Sequence, residues 1–120
     1  MMRKYDIITM ANEAHIAGYY SLKDLGIDNV AFPFRQALAI IALIRRHNVP
    51  ILGGDVCLIK GVVVYITDDN WYCDQLAGES EGDFARRSCD QAESYINSYK
   101  NNSTGEPLFA FVIPENNEVK

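Results

Sequence analysis

The chain has 120 residues, 48% of them hydrophobic, enough for one core and one domain spanning 1–120, with a polar tail from about residue 114. Its net charge of −5 comes from 16 acidic and 11 basic residues, and its longest apolar run, Ala37 to Ile44, is far short of the roughly 20 residues that cross a bilayer. These figures argue against a direct nucleic-acid binder and against a membrane partner.

In chain order, Ile7 to Tyr19 reads as a helix, with Ile8, Ala11, Ala14 and Ile16 apolar and Gly18 near its end. The preceding Arg3-Lys4 leads to no sustained apolar region before Asn12, Glu13 and His15, so no signal peptide is expected and the expected location is cytoplasmic. Gly26 to Phe32 reads as a short strand. Pro33 to about His47 is the clearest helix. Proline suits its first turn, Ala37, Leu38, Ile41, Ala42 and Ile44 share a face, and Arg45, Arg46 and His47 complement the dipole. Ala39, Ile40 and Leu43 widen that face, which predicts burial around most of the helix.

Ile51 to Ile59 and Val62 to Ile66 read as antiparallel strands joined through Lys60-Gly61. The pair Gly53-Gly54 predicts a bulge or the close approach of another backbone. Ser80 to Lys100 reads as a second strong helix, N-capped by Ser80, with an inward stripe of Phe84, Ala85, Ser88, Cys89, Ala92, Tyr95, Ile96 and Tyr99. Pro107 to Ile113 is a final strand before a frayed tail. The order is αβαββαβ, which predicts an α+β domain: a small, mainly antiparallel sheet packed with about three helices.

The charge is local. Between Gly61 and Ala85 stand Asp68, Asp69, Asp74, Glu79, Glu81 and Asp83, with no lysine or arginine. The only tryptophan, Trp71, lies among them beside Asn70 and Tyr72. An acidic patch with aromatics steers a basic partner and supplies a contact anchor. The residues expected to meet a partner are therefore Asp68, Asp69, Asn70, Trp71, Tyr72, Asp74 and Glu79, with Asp55 as a contributor. Asp68 to Asp74 is placed in a loop just past the hairpin. Trp71 has two readings, an exposed anchor or a buried aromatic closing the sheet.

Chemistry by this chain alone finds little support. The sequence lacks GxSxG, HExxH, GxxxxGK[ST] and GxGxxG, His15 has no identifiable nucleophile nearby, and His47 at a helix end reads as a dipole contact. No enzyme activity and no cofactor are expected. Cys57, Cys73 and Cys89 form no CxxC pair and read as reduced thiols. Asp68, Asp69, Asn70 and Asp74 lack the glycine and terminal glutamate of an EF-hand, so no metal is expected. A second reading places Asp55 and Tyr65 in a ligand or substrate pocket beside the glycine pair, and a third has an exposed apolar edge forming a homodimer.

The segments ILGGDV (Ile51 to Val56) and DNWYCD (Asp69 to Asp74), the Glu-bearing helix start, Arg87-Ser88 and YINSY (Tyr95 to Tyr99) together resemble the bacterial polymorphic-toxin immunity proteins, specifically the family numbered forty. The resemblance covers roughly Gly26 to Tyr99. It implies a small cytoplasmic α+β protein, without enzymatic activity, that binds and neutralises a cognate toxin domain. Carboxylates presented where phosphates would otherwise sit suit a toxin with a basic active-site cleft.

Overall fold

A computed structural model of the chain describes residues 3–4, 6–101, 104–114 and 118–119. Its elements are β1 (Arg3–Lys4), α1 (Ile7–Glu13), β2 (Tyr20–Ser21), a 3-10 turn (Lys23–Leu25), β3 (Val30–Pro33), α2 (Phe34–Arg46), β4 (Gly53–Lys60), β5 (Val63–Tyr72), α3 (Glu81–Ser98), β6 (Glu106–Val112) and β7 (Glu118–Val119). The expected order αβαββαβ lies inside this series, and the fold is α+β.

Five strands form one antiparallel sheet in the order β2-β3-β6-β4-β5. Because β6 is antiparallel to both β3 and β4, those two run parallel, and parallel strands need a long crossover. Helix α2 supplies it, and α3 supplies the equivalent link from β5 to β6. All three helices cover one sheet face. Ile7, Met10 and Ala11 of α1, Ala37, Ile40, Ile41 and Ile44 of α2, and Cys89, Ala92 and Ile96 of α3 bury against Val30, Phe32, Val56, Phe109 and Phe111.

The helix ends follow local chemistry. Asp6 caps α1 by accepting the amide of Thr9 at 2.7 Å, and Ser80 caps α3 by accepting that of Asp83 at 3.1 Å. Asn48, in the left-handed region at φ 55°, stops α2. Helix α1 ends at Glu13, well before Tyr19, because His15 takes φ 56° and turns the chain. Ile8 and Ala14 are exposed, whereas Ile7 and Met10 face the core. Helix α2 is one-sided: Ala39 and Ala42 face solvent, since α1 and α3 reach only part of its circumference. The stripe on α3 packs as expected, with Tyr95 and Tyr99 at its half-buried end.

The other face carries a smaller core. Cys57, Ile59, Leu108, Ala110 and Ala31 point away from the helices and are covered by Leu22 and Leu25, from the segment that folds back after β2. Part of the polar tail is also structured, because Glu118–Val119 pairs with Arg3–Lys4 as a separate two-stranded ladder.

Candidate functional site

Strand β5 extends six residues past the expected end at Ile66, so Asp68 to Tyr72 belong to a strand and not to a loop. The ladder to β4 jumps from Asp55 opposite Asn70 to Cys57 opposite Ile66, which leaves Thr67, Asp68 and Asp69 facing Val56 alone. The irregularity is therefore on β5, and the glycine pair lies beyond it. Thr67 fills the broken ladder, its hydroxyl donating to the Val56 carbonyl at 2.6 Å and accepting the Asp69 amide at 3.1 Å. Asp69 Oδ2 accepts from the hydroxyl of Tyr99 at 2.7 Å and from Asn101 Nδ2 at 3.3 Å, tying the bulge to the end of α3. Tyr99 is pushed above the ordinary phenol range by burial and by this carboxylate.

Beyond the bulge, alternation sends neighbours to opposite faces. Trp71 turns inward and is 7% exposed, stacked on Tyr95 at 4.6 Å and edge-on to Phe111 at 5.9 Å. The tryptophan closes the core and offers no surface to a partner. Its Nε1 has no hydrogen-bond partner among the described residues. Gly54 lies opposite the indole, and a Cβ there would stand 2.3 Å from both the ring and the Ala110 carbonyl oxygen. At Gly53 a Cβ would meet the Trp71 carbonyl oxygen at 2.3 Å. The close approach expected of the glycine pair is thus made by Trp71 and by its strand neighbours.

Tyr72 points the other way and is 73% exposed. It shares a row with Gly53 and Val112, and the next row holds Asn70, Asp55 and Ala110. With strands about 4.8 Å apart, Tyr72 and Val112 stand roughly 10 Å apart across a glycine floor. Asp55 and Asn70 are exposed in that row, and Asp68 and Asp74 are exposed farther along the same chain segment on either side. Among the described residues no lysine or arginine pairs with Asp55, Asp68 or Asp74; Arg86 and Arg87 are engaged by Asp83 and Glu79, and Arg45 by Asp90.

Glu79 is committed internally. Its two carboxylate oxygens accept from Arg87 Nε and Nη2, each at 2.8 Å, and Oε1 also accepts the Leu76 amide at 3.0 Å. The Arg87 hydrogen bond, then that amide, hold Glu79 down at about 2. Arg87 further donates to the Asp74 carbonyl at 2.6 Å and contacts Cys73 Sγ at 3.2 Å. Together with Gln91 Nε2, which donates to the Tyr72 carbonyl at 3.0 Å, this clamp fixes the end of β5. Neighbouring Ser88 accepts the Ile51 amide at 2.9 Å where the chain enters β4. Arg87 and Ser88 serve the scaffold behind the acidic surface. The clamp leaves no sequence signature, because Glu79 precedes the helix cap and Arg87 lies two turns into α3, eight residues on.

Asp55 and Tyr65 do not share a pocket. Asp55 lies on the face away from the helices, whereas Tyr65 pairs with Leu58 on the opposite side. Neither of two surface grooves, one at Ala11 to Tyr19 and one between Tyr20 and Val64, is lined by the glycine pair. The three cysteines are buried and free, and burial raises Cys57 and Cys89 above the usual thiol range.

The family model described as Immunity protein 40 matches residues 21–113, which include the whole five-stranded sheet from Ser21 onward, with α2 and α3. The chain belongs to this family. No curated protein and no solved structure matches it. Membership in Immunity protein 40 carries, in general terms, a toxin-neutralising immunity role. The match contains the bulge, the Arg87 clamp and every residue of the exposed acidic surface. No helix among the described residues is long and apolar enough to cross a membrane.

Proposed function

We propose that this protein neutralises a cognate bacterial toxin domain by stoichiometric binding in the cytoplasm, through the surface formed by Asp55, Asp68, Asn70, Tyr72 and Asp74. The observation that carries the reading is a largely exposed tyrosine on the same sheet face as Asp55, held on a braced strand; the exposed carboxylates of that segment, Asp68 and Asp74 included, pair with no lysine or arginine among the described residues. Unpaired surface charge raises encounter rates with an oppositely charged partner, and an exposed aromatic provides the buried anchor once contact is made. A toxin with a basic cleft fits both requirements. Neutralisation by occupancy needs no catalytic group and no cofactor on this chain. Asp69, Trp71 and Glu79 support the surface from behind.

The test is co-expression with the toxin domain encoded beside this protein. Survival that depends on this chain, with a one-to-one complex on size exclusion, is the expected result. A toxin that kills equally in its presence, with no complex formed, sinks the reading.

A further inference from the structure

Strand β5 is the last strand of the sheet, so one side of its backbone pairs with no strand among the described residues. Natural sheets protect such an edge with charges, prolines or a short strand. Here Gly61 to Thr67 contains neither charge nor proline, and the strand is ten residues long. Val63, Tyr65 and Ile66 keep about half their surface exposed, and Val62 in the preceding turn is 95% exposed. The edge is both unpaired and apolar.

The sheet also curls. Tyr20 and Ser21, on β2 at the opposite edge, line a groove together with Val62, Val63 and Val64. The groove measures about 390 Å³, and Asp24 and Leu25 complete its wall. An extended segment lying there would meet the free backbone of β5, apolar side chains on both walls, and carboxylates at Asp24 and, past Ile66, at Asp68. Strand addition of this kind draws affinity from main-chain hydrogen bonds and selectivity from alternate side chains.

Charge decides the occupant. A second copy of this chain would bring its own net charge of −5 against the same acids. A cationic segment is attracted by Asp24 in the groove wall and, farther along β5 beyond the groove, by Asp68. Resting on the immunity reading above, we infer that the toxin contributes an extended segment of alternating basic and apolar residues that pairs with β5 along Val63 to Ile66. The bulge at Thr67 to Asp69 limits the length of that ladder and hands the partner on to the Tyr72 surface.

The experiment is residue-resolved amide hydrogen exchange on the free protein and on its complex with the adjacent-gene toxin domain, its catalytic residue inactivated. The expected result is that outward-facing amides between Val63 and Ile66, fast in the free protein, slow by at least about tenfold in the complex. The double variant Tyr65→Lys with Ile66→Lys keeps its thermal midpoint and binds at least about tenfold more weakly. A complex that forms while those amides exchange as before overturns strand addition and leaves the acidic surface standing. Absence of any complex overturns both readings. A free protein that is already dimeric, with the same amides protected, also overturns the inference by assigning the edge to a second copy.

Discussion

The hydroxyl of Tyr99 donates to Asp69 Oδ2 at 2.7 Å, joining the last turn of α3 to the bulge thirty residues earlier in the chain. The contact is charge-assisted and half-buried, so it holds more firmly than a neutral surface hydrogen bond. Tyr99→Phe should cost about 1–2 kcal/mol in urea unfolding and raise exchange at the amides of Thr67 to Asp69. Unchanged exchange at the bulge would show that Thr67 holds it alone.

Asp69 is consequently a poor place to reverse charge. Asp69→Lys removes the acceptor for Tyr99 and Asn101 and should lower stability by about 1–3 kcal/mol. Asp55→Lys, Asp68→Lys and Asp74→Lys, at exposed sites with no ion pair among the described residues, should change stability by less than about 0.5 kcal/mol. Combined, the three should slow association with the toxin about tenfold or more at low salt, and the deficit should shrink as salt is added. Stopped-flow association across a salt series distinguishes the two classes of aspartate.

Trp71 and Tyr72 are adjacent, yet they predict opposite outcomes. Trp71→Ala empties a stack against Tyr95 and Phe111 and should cost about 3–5 kcal/mol of stability. Tyr72→Ala should leave the unfolding midpoint nearly unchanged and weaken toxin binding by at least about 2 kcal/mol, roughly thirtyfold. Calorimetric titration of Tyr72→Ala showing wild-type affinity would remove the aromatic from the interface.

Gly54→Ala should destabilise the fold by about 1–3 kcal/mol or more, because the new methyl collides with the indole and with a backbone oxygen that cannot rotate away. Combining it with Trp71→Phe should recover part of that loss. Full additivity of the two costs in denaturation would mean that the ring is not what the glycine accommodates.

Glu79 supplies a pH dependence. Its carboxylate is held at about 2, below its usual 4.5, chiefly by the Arg87 hydrogen bond. A depressed acid stabilises the fold fully above its unfolded value and loses that contribution as pH falls through the folded one. Stability should therefore decline between about pH 4.5 and about pH 2. Glu79→Gln should be less stable at neutral pH and show a shallower decline over that window. Parallel acid limbs for the two proteins would contradict the clamp.

The strong periodicities were legible before any coordinates. The stripe on α3, the Ser80 cap and the existence of the β4–β5 hairpin follow from residue spacing alone, since each is a local pattern, but the turn is Gly61-Val62 and not Lys60-Gly61, because Lys60 pairs with Val63. Residue pattern ends β5 too early because Thr67-Asp68-Asp69-Asn70 has the composition of a turn, and only pairing with β4 and the Tyr99 anchor makes it strand. The same override reorders the site. Composition groups six acids and a tryptophan, but alternation about the bulge sends Trp71 inward, and the Arg87 clamp withdraws Glu79. Asp55, thirteen residues from Asp68 in the chain, joins the surface only through its row with Asn70.

The position of β6 sets when the molecule becomes usable. Although it follows α3 near the end of the chain, it lies in the middle of the sheet, between β3 and β4. Until it arrives, the β2–β3 pair and the β4–β5 hairpin have no hydrogen-bonded bridge between them. During synthesis the acidic hairpin therefore emerges before its scaffold exists, and long-range pairing of this kind is slow. A nascent or truncated chain lacking Glu106–Val112 carries the proposed recognition residues without the rigid platform, so on that proposal protection begins only when translation has delivered the penultimate strand.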